Sequence, residues 1–290
     1  MLPTPAAPLL CPVCRNSLDF GDGASRSLLC TAGHSFDAAR QGYFNFLVGK
    51  GTVYEADAAD MVAARFDFLS AGHYRALADA VAELSAPALA GPDATVLDAG
   101  TGTGHYLRTL LDRIPAAAIG LDISKFALRR AARMNPDAVN LVTDVWQPLP
   151  VAENAVDVVT VVFAPRNPAE FARVLRPAGR LVVVTPRPGH LAEVSGRTGM
   201  LAIEPAKEER LAASLGAHFS EHSARTLDLE LSLTPDDVAN LALMGPAGHH
   251  LDRAALASVV AGLPPLTAAS ARFRISVFEP VVEPCKGPAA

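Results

Sequence analysis

Four side chains near the start of the chain have the types and spacing of a metal site. Cys11-Pro-Val-Cys14 is followed, after 15 residues, by Cys30-Thr-Ala-Gly-His34. Two residues between paired sulfurs let both face one ion, and three thiolates plus one imidazole make a closed tetrahedral set suited to structural zinc. A redox CxxC would normally open the helix of a thioredoxin-like βαβ unit, and no such unit follows. Gly33 supplies a turn ahead of His34. Leu18, Phe20, Leu28 and Leu29 suit a short hairpin too small to build its own core, so bound metal would supply the missing folding energy. Cys285 has no ligand partner nearby in sequence and reads as a free thiol.

A second group of residues suits a nucleoside. Asp98-Ala-Gly-Thr-Gly-Thr-Gly104 is a glycine-rich loop led by a carboxylate. Gly100, Gly102 and Gly104 let the backbone turn sharply and approach a ligand. A dinucleotide fingerprint would place its third glycine where His105 stands. The GxGxG form resembles motif I of the class I S-adenosylmethionine (SAM) methyltransferases. Asp122 lies 24 residues after Asp98, where a carboxylate can accept both ribose hydroxyls, and Asp144 is placed to accept an adenine amino group. Three carboxylates fit a neutral nucleoside bearing a sulfonium better than a pyrophosphate. The alternative is an α/β domain with incidental acidic caps and no ligand.

These carboxylates must stand at strand ends, and the pattern supplies the strands. From residue 94 the sequence alternates strand and helix: strands over 95–100, 118–121, 141–143, 156–163 and 180–185, helices over 104–113, 125–134 and 169–175. Ser124 is placed to cap the second of these helices. Such a doubly wound parallel sheet binds ligands at the C-terminal strand ends. Strands over 226–233 and 272–278 and helices over 235–244 and 252–261 follow. Upstream, helical spacing covers 60–69 and 74–84, Pro87 to Pro92 reads as a loop, and Gly49-Lys-Gly51 as a joint. Phe36, Tyr43, Phe44 and Phe46 are expected to pack on the zinc unit. The division is a zinc-binding domain over 1–48, a connecting helical segment over 49–90 and a SAM-dependent methyltransferase domain over 91–290.

Composition narrows the class. Half of the 290 residues are apolar and 19% charged, which suits a globular chain. The net charge of −5 excludes a generally basic, histone-like nucleic-acid binder but not a local basic patch. Residues 105–133 hold six basic and two acidic side chains, a balance of +4, and 166–210 hold eight and five, a balance of +3. No apolar run is long enough for a membrane helix, and the first ten residues make a poor signal peptide, so the expected location is the cytoplasm.

The sequence resembles the bacterial 23S rRNA (guanine-N1)-methyltransferases, the family that includes macrolide-resistance methyltransferases. The resemblance runs from Cys11 to about Val194 and is carried by CPVC, CTAGHSFDAARQGYFNFL, DMVAARFDFLSAGHY, VLDAGTGTGHY, GLDISKFALRRAARM, FAPRNPAEFARVLRPAGRLVVVTP and GHLAEV. It implies zinc on Cys11, Cys14, Cys30 and His34, and SAM contacts from Tyr74, Tyr106, Leu107 and His190. It also implies methylation of guanine N1 in a 23S rRNA hairpin, by a homodimer whose zinc arms embrace the RNA. The chain departs from many members at Thr101 and Thr103, and at Arg166-Asn167 after Ala164-Pro165. His190, Arg166 and Arg187 are the candidates facing the methyl-transfer site, and no residue is assigned as the base. His190 is expected to pack or to orient SAM. Two other classes stay open: a small-molecule SAM methyltransferase with a structural zinc site, and a non-catalytic zinc-bearing RNA-binding module.

Overall fold

A run such as Val156-Asp-Val-Val-Thr-Val-Val162 is too apolar to lie on a half-wet sheet, and in the computed structural model it is a central strand covered on both faces. The model describes residues 8–21, 26–49, 51–200 and 213–281. The chain begins with four short strands, β1 (Leu9–Leu10), β2 (Ser17–Phe20), β3 (Ser27–Cys30) and β4 (Ser35–Asp37), which form one antiparallel sheet. Strand β5 (Tyr43–Asn45) and helices α1 (Ala59–Ser70) and α2 (Arg75–Ser85) follow. Next come β6 (Thr95–Ala99), α3 (His105–Arg113), β7 (Ala117–Asp122), α4 (Lys125–Met134), β8 (Val139–Val142), β9 (Val156–Val162), α5 (Pro168–Val174), β10 (Leu175–Pro186) and α6 (Ala192–Thr198). The chain closes with β11 (Phe219–Leu233), α7 (Pro235–Leu243), α8 (Arg253–Ala261) and β12 (Thr267–Pro280).

The large sheet has the order β11-β12-β10-β9-β6-β7-β8-β5. It is parallel from β10 to β5, as the alternating pattern predicts, and becomes mixed where β12 runs antiparallel between β10 and β11. The order reverses at β6, between β9 and β7, so a crevice opens at the C-terminal ends of these strands. The expected strands and helices of this half are all present, with shifted ends. Ser124 caps α4, its hydroxyl accepting from the Ala127 N–H. Residues 86–89 differ from the expected loop: Ala86–Leu89 form a single 3-10 turn that buries Leu89, and Pro87 is tolerated in its first turn, where no N–H is needed.

The zinc hairpin and the large sheet share one core. Leu9, Leu18 and Leu28 are buried in the same apolar cluster as Leu149, Val151 and Phe171. Leu9 bridges to Val151, the Leu10 N–H donates to the Pro150 carbonyl at 3.0 Å, and the Ala152 N–H donates to the Pro8 carbonyl at 2.9 Å. Arg15 reinforces the join by donating to the Leu149 carbonyl at 2.9 Å. The aromatic run spans this seam: Phe20 meets Phe44 at 6.0 Å and Phe36 meets Phe46 at 4.9 Å between centroids. Tyr43, Phe44 and Asn45, inside the 1–48 segment, extend the large sheet by pairing with Asn140, Leu141 and Val142.

Candidate functional site: metal cluster and cofactor crevice

The antiparallel pairing of β2 with β3 sets Cys30 opposite Leu18, and the turns on either side bring the other ligand candidates to it. One donor atom from each of Cys11, Cys14, Cys30 and His34 lies within 4.8 Å of the other three. The Cys14 and Cys30 sulfurs are 3.3 Å apart, and the Cys11 sulfur is 3.6 Å from His34 Nδ1. Two sulfurs on one tetrahedral zinc stand about 3.8 Å apart, so the donor set fits a single ion. Hydrogen bonding from His34 and from the Ala32 N–H draws the Cys30 thiol down to about 6, toward the thiolate a metal requires. Gly33 at φ +88° makes the turn that lets His34 fold back.

The crevice is built at three strand ends. Gly100, Gly102 and Gly104 have φ of +82°, +55° and +86°, values that suit glycine, and the loop turns from β6 into α3. A Cβ on Gly100 would stand 2.2 Å from the Cβ of Ala164, so the loop passes directly against the segment after β9. Asp122, ending β7, accepts from the Gly102 N–H and the Ser124 N–H, each at 2.8 Å. Burial lifts its carboxyl to about 6 against the pull of those bonds. Asp98 is 2% exposed; its Oδ1 accepts from the Thr160 hydroxyl at 2.7 Å, while Oδ2 makes no hydrogen bond among the described residues. Burial raises this carboxyl too. A buried carboxylate oxygen without a donor calls for a cationic or hydrogen-bonding ligand group. Asp144, just past β8, accepts from the Thr52 hydroxyl at 2.8 Å and from the Trp146 N–H at 3.0 Å.

The residues implied by family resemblance are placed as follows. Tyr74, buried at the start of α2, packs edge-on to Phe273 with centroids 5.1 Å apart and near Phe163 at 6.4 Å. Tyr106 is half-buried and Leu107 is a core residue of the first turn of α3. His190 Nδ1 lies 3.0 Å from the Arg272 N–H and its ring packs on Phe273 at 4.9 Å. Burial lowers its pKa to about 4, so it is neutral at pH 7, in keeping with a packing or orienting role. Arg187 is engaged with Asp228 at 2.8 Å. Arg166 is half-buried just after β9, and no carboxylate among the described residues reaches ion-pair distance of it. Cys285 lies outside the described residues.

Four further residues shape the crevice without a signal in spacing. Thr160, mid-strand in β9, holds Asp98. Thr52 reaches Asp144 from 92 residues upstream. Arg65 pairs with Asp57 and donates to the Met244 carbonyl at 2.6 Å, its stem lying close to Gly102. Phe163 is 45% exposed with φ +55°, a strained conformation for an aromatic residue at the end of a buried strand. Only Phe163 carried a hint, as an aromatic residue directly ahead of Ala-Pro.

The glycine loop, the acidic strand ends and the sheet order are those of a class I SAM-dependent methyltransferase, here joined to a zinc ribbon. Residues 96–181 match the family described as "Methyltransferase domain", and residues 9–48 match the zinc-ribbon family described as "RlmA, N-terminal". A protein of Micromonospora griseorubida named for 23S rRNA (guanine-N(1)-)-methyltransferase activity is 45% identical over 289 residues, 94% of this chain and 97% of the relative. The 23S rRNA (guanine(748)-N(1))-methyltransferase of Streptomyces fradiae is 42% identical over 275 residues, again 94% and 97%. The chain belongs to the 23S rRNA (guanine-N1)-methyltransferase family. Among the described residues no helix is long and apolar enough to cross a membrane.

Proposed function

We propose that this enzyme methylates N1 of a guanine in an unpaired hairpin loop of 23S rRNA, with the 1–48 segment gripping the RNA and the 91–290 domain supplying the chemistry. The observation that carries the reading is the fusion of a three-cysteine, one-histidine cluster to a carboxylate-lined glycine crevice through one shared core.

SAM, when bound, supplies a methyl group already activated by its sulfonium, so the protein's work is chiefly positioning. Gly100, Gly102 and Gly104 would cradle the cofactor, with Asp122 accepting from ribose hydroxyls and Asp144 from the adenine amine. The unpartnered Oδ2 of Asp98 would receive a donor or cation. Cys11, Cys14, Cys30 and His34 would hold zinc. Tyr74, Tyr106, Leu107 and His190 would border the cofactor. Guanine N1 must shed a proton, which would pass to solvent water since no side chain is assigned as the base, and Arg166, a guanidinium with no carboxylate partner among the described residues, would stabilise the charge that builds on O6. A paired base cannot enter such a crevice, so the target is unpaired or flipped.

Mapping the rRNA of a deletion strain by mass spectrometry tests the reading. Loss of one N1-methylguanine, restored by the gene in trans, is expected; the name of the Streptomyces fradiae relative makes guanine 748 the first nucleotide to inspect. An unchanged map would favour the small-molecule alternative. Two zinc arms embracing one RNA would further require a homodimer, which sedimentation of the purified protein measures directly.

A further inference from the structure

The helix after Asp122 has a composition that its packing does not need. In α4, Lys125-Phe-Ala-Leu-Arg-Arg-Ala-Ala-Arg-Met134, the buried face is made by Ala127, Leu128, Ala131 and Ala132. Lys125, Arg129 and Arg133 recur at every fourth residue, so they fall within an arc of about 80° that begins beside Ala132 at the edge of the buried face. Lys125 and Arg133 are exposed and Arg129 is half-buried.

Two more cations reach this face from the zinc hairpin side. Gly42 packs on α4, and a Cβ placed there would lie 3.9 Å from Arg26 Nη2 and 4.0 Å from the Cβ of Ala132. The guanidinium of Arg26, at the start of β3, therefore reaches the edge of α4. Arg40 is exposed on the tight turn closed by the Gly42 N–H to Ala39 carbonyl bond, and Ala39 packs against the α4 cluster. Arg26, Arg40, Lys125, Arg129 and Arg133 thus line one strip across the seam between zinc hairpin and large sheet.

None of the five has a carboxylate within ion-pair distance among the described residues. Several arginines elsewhere on the surface do: Arg108 with Asp112, Arg180 with Glu279, Arg225 with Glu83 and Arg274 with Glu221, each at 2.7 or 2.8 Å. Two of the five are also braced. The Phe126 ring lies 5.6 Å from Lys125 Nζ and 5.3 Å from the Arg129 guanidinium carbon. The Nε of Arg129 is buried without an acceptor. In a chain of net charge −5, a strip of unpaired and partly preorganised cations is a site for a polyanion.

We propose that this strip, running from Arg26 and Arg40 across α4, seats the phosphodiester backbone of the substrate RNA. It rests on the RNA reading above and adds to it the surface that holds the RNA. Each phosphate contact adds about 0.7 to the salt slope of log K for single strands and about 0.9 for a duplex.

The test uses the full-length protein and an unmodified 23S rRNA transcript. The Arg129→Gln/Arg133→Gln double variant is expected to lower the slope of log K against log salt by about 1.4 to 1.8. Its RNA affinity should fall at least about tenfold at physiological salt, with SAM affinity unchanged. Arg26→Gln alone should lower the slope by about 0.7 to 0.9 with zinc content intact, which shows that the strip crosses the seam. Arg133→Glu, at an exposed position with no ion pair to lose among the described residues, should leave the fold intact by circular dichroism and weaken binding more than Arg133→Gln. Arg225→Gln, on the far sheet edge, should change nothing. Unchanged slope and affinity in the α4 variants, while the wild type binds and methylates the transcript, would overturn the strip and leave the RNA reading standing. A wild type that neither binds nor methylates RNA would overturn both.

Discussion

Replacing Gly100 by alanine perturbs the cofactor crevice at a single atom. The new Cβ would lie 2.2 Å from the Cβ of Ala164 and 3.6 Å from its Cα, at a φ of +82°. Two carbons rest at about 3.5 to 4.0 Å, so the glycine loop and the segment after β9 must separate by about 1.5 Å. Overpacking of this kind costs about 1–3 kcal/mol, and the left-handed backbone adds about 1–2 kcal/mol for a residue with a Cβ. The expected destabilisation is about 2–5 kcal/mol. Moving the loop also stretches the 2.8 Å bond from the Gly102 N–H to Asp122, and a displaced loop that forfeits one charge-assisted bond to the bound cofactor, about 1.5–3 kcal/mol, loses about tenfold to a hundredfold in SAM affinity. Urea unfolding and calorimetric SAM titration measure the two effects. Ala164→Gly in the same chain removes the overlap but not the backbone strain. The double variant should therefore recover about 1–3 kcal/mol and retain a deficit of about 1–2 kcal/mol. If Ala164→Gly rescues nothing, the two segments do not meet as described and the reasoning fails.

Other outcomes follow from the same geometry. Because burial holds Asp122 at about 6 before ligand binds, SAM affinity should be flat above that pH and fall by up to about tenfold per unit below it; Asp122→Asn should abolish this step, and a step that survives would exclude the residue. For stability the sign is opposite: a raised folded pKa makes Asp122's contribution fully present below about 3.8 and lost as pH rises through about 6. Stripping the metal should free Leu9, Leu18 and Leu28, each worth about 1.5–3 kcal/mol when buried, and lower the Tm of the main unfolding transition by about 10 °C or more; a main transition indifferent to the chelator would contradict the shared core. Thr52→Val removes the hydroxyl that orients Asp144 Oδ2, so SAM should bind about two- to tenfold more weakly to the variant, and unchanged binding would count against adenine recognition by Asp144.

Local patterns were legible where the chemistry is local. The CxxC and CxxxH pairs, the Asp98–Gly104 loop and the buried β6, β7 and β9 runs each declare themselves within about ten residues, because ligand spacing and strand burial are short-range constraints. Partners joined only by tertiary folding were not. Thr160 and Thr52 hold Asp98 and Asp144 from 62 and 92 residues away. The division at residue 48 treats the zinc segment as separable, yet Phe44 and Phe46 share their core with Leu141 and Val159, and β5 is a sheet strand. Three residues, Tyr43-Phe-Asn45, are too short to show a strand period, so their aromatic character alone was visible. Removing residues 1–48 would strip an edge strand and part of the core, so loss of RNA methylation in such a truncation would not isolate RNA grip. Substitution of Arg26 does so instead.

The seam also sets an order of events during synthesis. The zinc ligands and β5 leave the ribosome first, but their partners, Asn140 to Val142 and Leu149 to Val151, emerge about a hundred residues later, roughly 5 to 20 s at ordinary translation rates. Over that interval the hairpin has no sheet to lean on, and three thiols lie in a chain that cannot yet bury them. Metal captured early would keep those thiols from oxidising and would hold Leu9, Leu18 and Leu28 in register until β8 arrives. The ion would thus stand in for contacts not yet translated, and cells short of zinc should accumulate oxidised or misfolded chains before they accumulate folded, inactive enzyme.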